Sequence, residues 1–329
     1  MTKTLFFLFL SMIILIGACS SKPKYSDRHR EGDNAGQKVA LTVDEEKKLT
    51  KEALPEMQKE YPPAKNPELQ AYINRIGQKI VNANKLNNNP YTYNFTVVDV
   101  PAINAFALPA GSVFMTAPII ALAESEAEIA GVLGHEIGHV TARHTAERMY
   151  VAKKEQPKTW IFGGIGAGVG VAAGIFLGNK MCDAKDTACK AKYAVGGAAV
   201  GGMGGLMVQK YGFMKNSQED ELESDRVGFR YAANAGYDKN NVGDFYMKLA
   251  AMEKEAKKNQ NAVVGWLGDA MASHPSSDKR VAQAEEMKGL IKTTGGTTTT
   301  DEFARMKKIA QQIVEQAKAR QPQQPQAQR

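Results

Sequence analysis

His135-Glu136-Ile137-Gly138-His139 sets two histidines four residues apart with a glutamate between them. On a helix a step of four returns to nearly the same face, so both imidazoles can meet one point. Glu136, about 100° further round, can reach a group held at that point without taking a ligand's place. Two imidazoles are only half a cation site: a tetrahedral metal with one open position needs a third protein ligand. The pair therefore demands a second element packed close to the helix that carries it. The competing reading, two ordinary core or surface histidines, gives way to helical context. Ser125 and Glu128 read as a capping box, and Ile129, Val132, Leu133, Ile137 and Val140 recur as a buried stripe. That pattern predicts one long helix from there to about Met149.

His144 is the nearest further histidine, but on such a helix it is turned about 140° from His139. Nor does it complete an extended three-histidine pattern, whose glycine and last histidine would fall at Ala142 and Thr145. Glu221 and Asp225 are a turn apart on a second helix expected from about Ser217 to Asn234, ending before Gly236. One carboxylate can bind the metal while the other accepts the distal N–H of a bound histidine. Glu219 and Glu223 in the same stretch are rival ligands, and a solvated acidic helix face is the plainer reading of such a cluster.

With 329 residues, 43% of them hydrophobic, the chain can bury one large core and carry tails. Its net charge of +7 is scattered, with no arginine-rich arm, which argues against nucleic acid as a partner. Lys3, the apolar run Leu5–Ile16 and Ile16-Gly17-Ala18-Cys19 resemble the lipobox of bacterial lipoproteins. The run is too short to span a bilayer, which takes ~20 residues. The likeness implies removal of residues 1–18 and a lipid on Cys19; Ser20, in place of an aspartate, implies the outer membrane. Residues 19–42 then read as a flexible tether. Cys182 and Cys189, six residues apart in an exported chain, are expected to pair as a disulfide.

Asn66-Pro67 opens a helix with Leu69, Ile73, Ile76 and Ile80 on one face. Alternation over Tyr91–Val100, Ala105–Leu108 and Ser112–Thr116, around Pro109-Ala110-Gly111, predicts a small antiparallel sheet. The expected fold class is α+β and mainly helical, with the body over 43–292. A glycine-rich apolar hairpin over 160–208 packs on that body, covers the cleft as a flap or dips into lipid. Residues 293–329 read as a linker, a single helix from Asp301 to about Arg320 and a disordered tail.

HExxH on one helix with ExxxD on a later one resembles the gluzincin metallopeptidases, in particular the family of HtpX-like and CAAX-prenyl endopeptidases. Two further stretches carry the likeness: Asn104-Ala105-Phe106-Ala107-Leu108-Pro109 upstream of HExxH, and His274-Pro275 with Arg280 downstream. The lipid-anchored periplasmic members resemble the chain best; Ser224, where the family usually has alanine, departs from the pattern. The resemblance implies a zincin-like fold and one Zn2+ per chain on His135, His139 and Glu221. It makes Glu136 the general base and acid and sets Asp225 behind a histidine. It also implies that His274 and Arg280 stabilise an oxyanion at the cleft, or that His274 covers the metal in a resting state. An extended polypeptide would lie beside Asn104, Ala105, Phe106, Ala107 and Leu108. The implied substrates are unfolded or misassembled envelope proteins. Two other classes fit parts of the chain: a periplasmic assembly factor with incidental proteolysis, and a membrane-interaction protein acting through the hairpin.

Overall fold

The computed structural model describes residues 30–155, 216–259, 270, 273–274 and 278–320. Cys19, the cysteine pair at 182 and 189 and the hairpin over 160–208 lie outside the described residues. Among those described, no helix is long and apolar enough to cross a membrane.

Helix α1 (Val43–Glu60) starts at Thr42, which forms a capping box with Glu45. Helix α2 (Pro67–Ala83) starts as its sequence predicts: Asn66 Oδ1 accepts from Leu69 N at 2.8 Å, with proline in the first turn. Strands β1 (Asn94–Val98), β2 (Ala105–Ala107) and β3 (Ser112–Thr116) form a sheet in the order β1-β3-β2. The sheet is mixed where an antiparallel one was expected: β2 runs antiparallel to β3, and β1 runs parallel to it. Alternation reports which face a residue takes, but not the direction of the neighbouring strand.

Period-two alternation divides the sheet between two cores. Phe95, Val97, Ala105, Val113 and Met115 join the main core with α2. Val98, Phe106 and Phe114 face the other way and pack with Met57 and Tyr61 at the end of α1. After the short α3 (Ala117–Leu122) comes the histidine helix α4 (Glu126–Thr141), whose N-cap Ser125 accepts from Glu128 N at 3.1 Å. Only half of the expected box forms. Glu128 instead accepts from Glu124 N and lies 3.2 Å from Lys248 Nζ.

The single long helix expected here is two. The chain breaks after α4 at Ala142–Arg143, where Arg143 takes the left-handed φ of 53°, and resumes as α5 (His144–Glu155). Arg143 is held there by tertiary bonds, donating to the Leu41 carbonyl at 2.8 Å and pairing with Glu46 at 3.2 Å. The second acidic helix, α6 (Gln218–Asn234), is capped by Ser217 in a box with Asp220 and ends before Gly236 at φ 83°. Then follow α7 (Lys239–Val242), α8 (Asp244–Asn259), α9 (Asp278–Leu290) and α10 (Asp301–Arg320). The sequence sets α10 apart from the catalytic body, yet it lies along α2 and α3 with Phe303, Met306, Ala310 and Val314 in the main core.

What positions the site is the crossing of α4 and α6. A Cβ on Gly134 would stand 2.5 Å from the Gly228 carbonyl, and one on Gly228 would overlap the His135 amide. Glycine at both positions lets the two backbones touch. This brings Glu221 opposite His135 and His139.

Candidate metal centre

His135, His139, Glu221 and His274 each offer one donor atom, and those atoms lie within 4.8 Å of one another. His135 Nε2 and His139 Nε2 are 3.0 Å apart. Glu221 completes a triangle, its oxygens 3.4 Å from His135 Nε2 and 3.2 Å from His139 Nε2. A tetrahedral cation bound at about 2.0–2.1 Å sets its donors roughly 3.3–3.4 Å apart, so the three side chains fit such an ion within a few tenths of an ångström. Two imidazole nitrogens and a carboxylate are also a donor set that suits zinc. All three residues are buried. Glu219 and Glu223, the rival ligands, are absent from the cluster.

These are the features of a metallopeptidase centre, and the model of peptidase family M48 matches residues 67–288. This chain belongs to that family. Among curated proteins it is 28% identical over 279 residues to the beta-barrel assembly-enhancing protease of Yersinia pestis, covering 84% of this chain and 50% of that one. The protein of the same name from Escherichia coli is 26% identical over 253 residues, 77% of this chain and 45% of that one. The mitochondrial metalloendopeptidase OMA1 of Arabidopsis thaliana is 29% identical over 194 residues, 58% of this chain and 31% of that one. The chain thus spans about half the length, or less, of these relatives.

Within this M48 centre each ligand is braced from behind. His135 Nδ1 lies 2.8 Å from Asp225 Oδ1, a close charge contact that is not aligned as a hydrogen bond. Arg280 grips Asp225 with Nε and Nη2, both at 2.7 Å, and its third nitrogen lies 2.7 Å from Glu221 Oε2. The guanidinium expected at the cleft as an oxyanion donor is thus committed to two carboxylates. It holds the ligand Glu221 and the brace Asp225 in one fork.

His274 Nε2 donates to the Ala105 carbonyl at 3.0 Å, so Nδ1 is the ring nitrogen that faces the cluster. Nδ1 is 3.1 Å from Glu221 Oε1 and 3.3 Å from His135 Nε2. His274 therefore sits at once on the edge of β2 and in the fourth donor position. Asn216, which no sequence motif singled out, points its amide at His139 Nε2 (3.1 Å) and His274 Nδ1 (3.3 Å). Next to the cluster Glu136 is buried, and its Oε2 has no hydrogen-bond partner among the described residues.

Charge coupling among the protein groups follows from this packing. Burial opposes an imidazolium at His135, but Glu221 and Asp225 outweigh it and raise its pKa to about 9. His139 cannot also be charged: burial and the neighbouring His135 hold it well below the ordinary value. Burial works against the Glu221 charge, but His274, Arg280 and His135 override it and hold its carboxyl well below the usual range. Burial pushes Glu136 the other way, upward. The centre thus pairs an ionised ligand carboxylate with a neighbour that holds a proton more readily.

An apolar cleft of roughly 670 Å³, counted to its open mouth, adjoins the centre. Ile103, Val132, Phe245 and Leu249 line it, together with Asn104, Ala105, His135 and Glu136.

Proposed function

We infer that this chain is an endopeptidase that uses one Zn2+ per chain, held by His135, His139 and Glu221, to hydrolyse peptide bonds of cell-envelope polypeptides. Glu136 carries the reading: a buried carboxylate with an oxygen unpartnered among the described residues has no structural reason to stand beside three metal donors. Zinc, when bound, polarises the scissile carbonyl and makes water acidic enough to attack near neutral pH. Glu136 takes the proton of the attacking water and delivers it to the leaving amine, and its raised affinity for a proton suits both halves of that task.

Substrate binding is assigned to the edge of β2 and the adjoining cleft. β2 lies at the end of the sheet, so Asn104, Ala105, Phe106, Ala107 and Leu108 can receive an extended chain as an added strand. The cleft accepts an apolar side chain. His274 occupies that edge through Ala105 and offers a nitrogen to the metal position, which supports its role as a cover in a resting state. Substrate must displace it. The name of the two bacterial relatives supports beta-barrel assembly in the cell envelope as the setting, and the lipobox supports anchoring through Cys19, for which Ser20 favours the outer membrane.

The test uses purified chain lacking residues 1–19. Glu136→Gln is expected to keep about one zinc and lose roughly 10²–10⁴-fold in cleavage of an unfolded polypeptide. Glu221→Ala is expected to lose the metal. Normal zinc content in Glu221→Ala would remove the third ligand, and full activity in Glu136→Gln would remove the general base.

A further inference from the structure

The stretch read from sequence as part of a loose tether is bound to the body from Arg30 onward. Arg30 enters a pocket of three buried carboxylates: it pairs with Asp220, lies 3.3 Å from Glu223 through Nε and donates to Glu147 at 3.4 Å. Gly32 N donates to Glu223 Oε1 at 2.9 Å. Glu31 pairs with Arg226 and Arg230 on the outer face of α6, at 2.6 and 2.7 Å. Further along, Asn34 donates to the Thr141 carbonyl and Gln37 to that of Ala142, at 2.8 and 2.7 Å. These satisfy carbonyls at the end of α4 that the helix itself leaves open. Ala40 N bonds Ala146 O, and Leu41 O receives Arg143. Residues 30–41 form a strap over the break between α4 and α5.

That break turns His144 back toward the metal centre. On an unbroken helix it would face about 140° away from His139; here the two Nδ1 atoms are 2.8 Å apart. His139 directs Nε2 at the metal position, so its proton is on Nδ1 and His144 Nδ1 accepts it. The His144 proton is then on Nε2, 3.1 Å from Glu223 Oε2. A continuous series results: metal ligand His139, His144 and Glu223 in sequence, with Glu223 held by the Gly32 amide of the strap and paired in charge with Arg30. His135 has its carboxylate directly; His139 reaches its own through an imidazole, and that carboxylate is held by the strap.

We propose that the strap over residues 30–41 is a positioning element of the metal centre, orienting His139 through Glu223 and His144 so that the grip on the metal depends on the strap being seated. The proposal rests on the metal centre assigned above. Arg30 touches neither substrate nor metal and acts only through this series.

The experiment measures zinc affinity by chelator competition and the visible spectrum of the Co2+-substituted protein, in the full chain below its unfolding temperature. His144→Leu, which removes the acceptor, is expected to weaken zinc by about 10–100-fold and to shift the cobalt bands. His144→Asn, which restores an acceptor, should recover part of both. Arg30→Met should weaken zinc in the same direction, and the double variant Arg30→Met/His144→Leu should be no weaker than His144→Leu alone, because both act on one path. Arg30→Lys keeps the charge that the fold needs but loses the fork, and should give a smaller loss of the same kind. Unchanged zinc affinity and cobalt spectrum in Arg30→Met and Arg30→Lys, or additive losses in the double variant, would overturn the strap's role while leaving the metal centre standing. Absence of zinc binding in the unaltered chain would overturn both.

Discussion

Arg280 stands between two buried carboxylates, and the pH dependence of stability should reveal it. Burial pushes Asp225 upward, but Arg280 and His135 more than compensate and lower its carboxyl; Glu221 is depressed in the same way. A depressed carboxyl contributes stability that is present above its unfolded pKa, near 4, and is lost as pH falls through its folded value. In Arg280→Met the two carboxylates lose their fork and their pKa values rise. The variant should lose about 3–5 kcal/mol near pH 7, and the deficit should persist to about pH 4 and shrink as pH falls below it through the depressed folded values. Urea unfolding of chelator-treated protein across that range tests it; an equal deficit at both ends would mean lost packing, not lost charge. The same electrostatics bear on the metal. With the His135 pKa raised to about 9, zinc must displace a proton at pH 7. Apparent zinc affinity should therefore fall by roughly tenfold for each pH unit below that value, and calorimetry in buffers of different ionisation enthalpy should register about one proton released. At this scale the sequence was legible wherever chemistry fixes spacing: His135, His139, Glu221 and Asp225 stand where helical period sets them. Asn216, and the clamp role of Arg280, were not legible, because each depends on which side chains a distant segment brings near.

At the scale of elements, starts and stops were readable from local chemistry, as in Asn66-Pro67 for α2 and Ser217 with Gly236 for α6. The break between α4 and α5 was not. Nothing in Val140-Thr141-Ala142-Arg143-His144 stops a helix; the left-handed Arg143 costs roughly 1–2 kcal/mol, offset by its bonds to Glu46 and Leu41. His144 turns away from His139 only on one straight helix, and the kink brings the two rings together without making His144 a ligand. The crossing of α4 and α6 rests on glycine instead. Gly228→Ala would set a methyl against the His135 amide, and overpacking of that kind costs about 1–3 kcal/mol. It should also move Glu221 off the two histidines, reducing zinc affinity on the order of tenfold. Gly289→Ala, with open space at the same atom on α9, should instead be neutral or stabilising by up to ~1 kcal/mol. Comparing melting temperature and zinc content in the two variants separates helix propensity from the crossing.

Across the whole molecule, chain segments from both sides of the family match complete the catalytic body. Residues 30–41 lie before the matched stretch of 67–288 and α10 lies after it. Polar composition made the first read as tether, and a threonine-rich linker made the second read as separate. Composition measures what a segment can bury, not what a neighbour offers to bury it against. For α10 the neighbour is α3 and α2, and the gain comes from Phe303, Met306 and Val314, all buried. Fully burying side chains of this size contributes about 1.5–3 kcal/mol each, which together approaches the ~5–15 kcal/mol that holds a typical domain folded. The exposed pairs Arg75–Glu302 and Arg305–Glu68 are worth no more than roughly 1 kcal/mol each. Deleting residues 301–329 should therefore lower the melting temperature sharply and uncover the faces of α3 and α2 beneath, raising binding of an apolar dye. The double variant Glu302→Ala/Arg305→Ala should leave both nearly unchanged. If the charge variant matched the deletion, α10 would be pinned by its surface and not by its buried face, and the catalytic body could be taken to end before it.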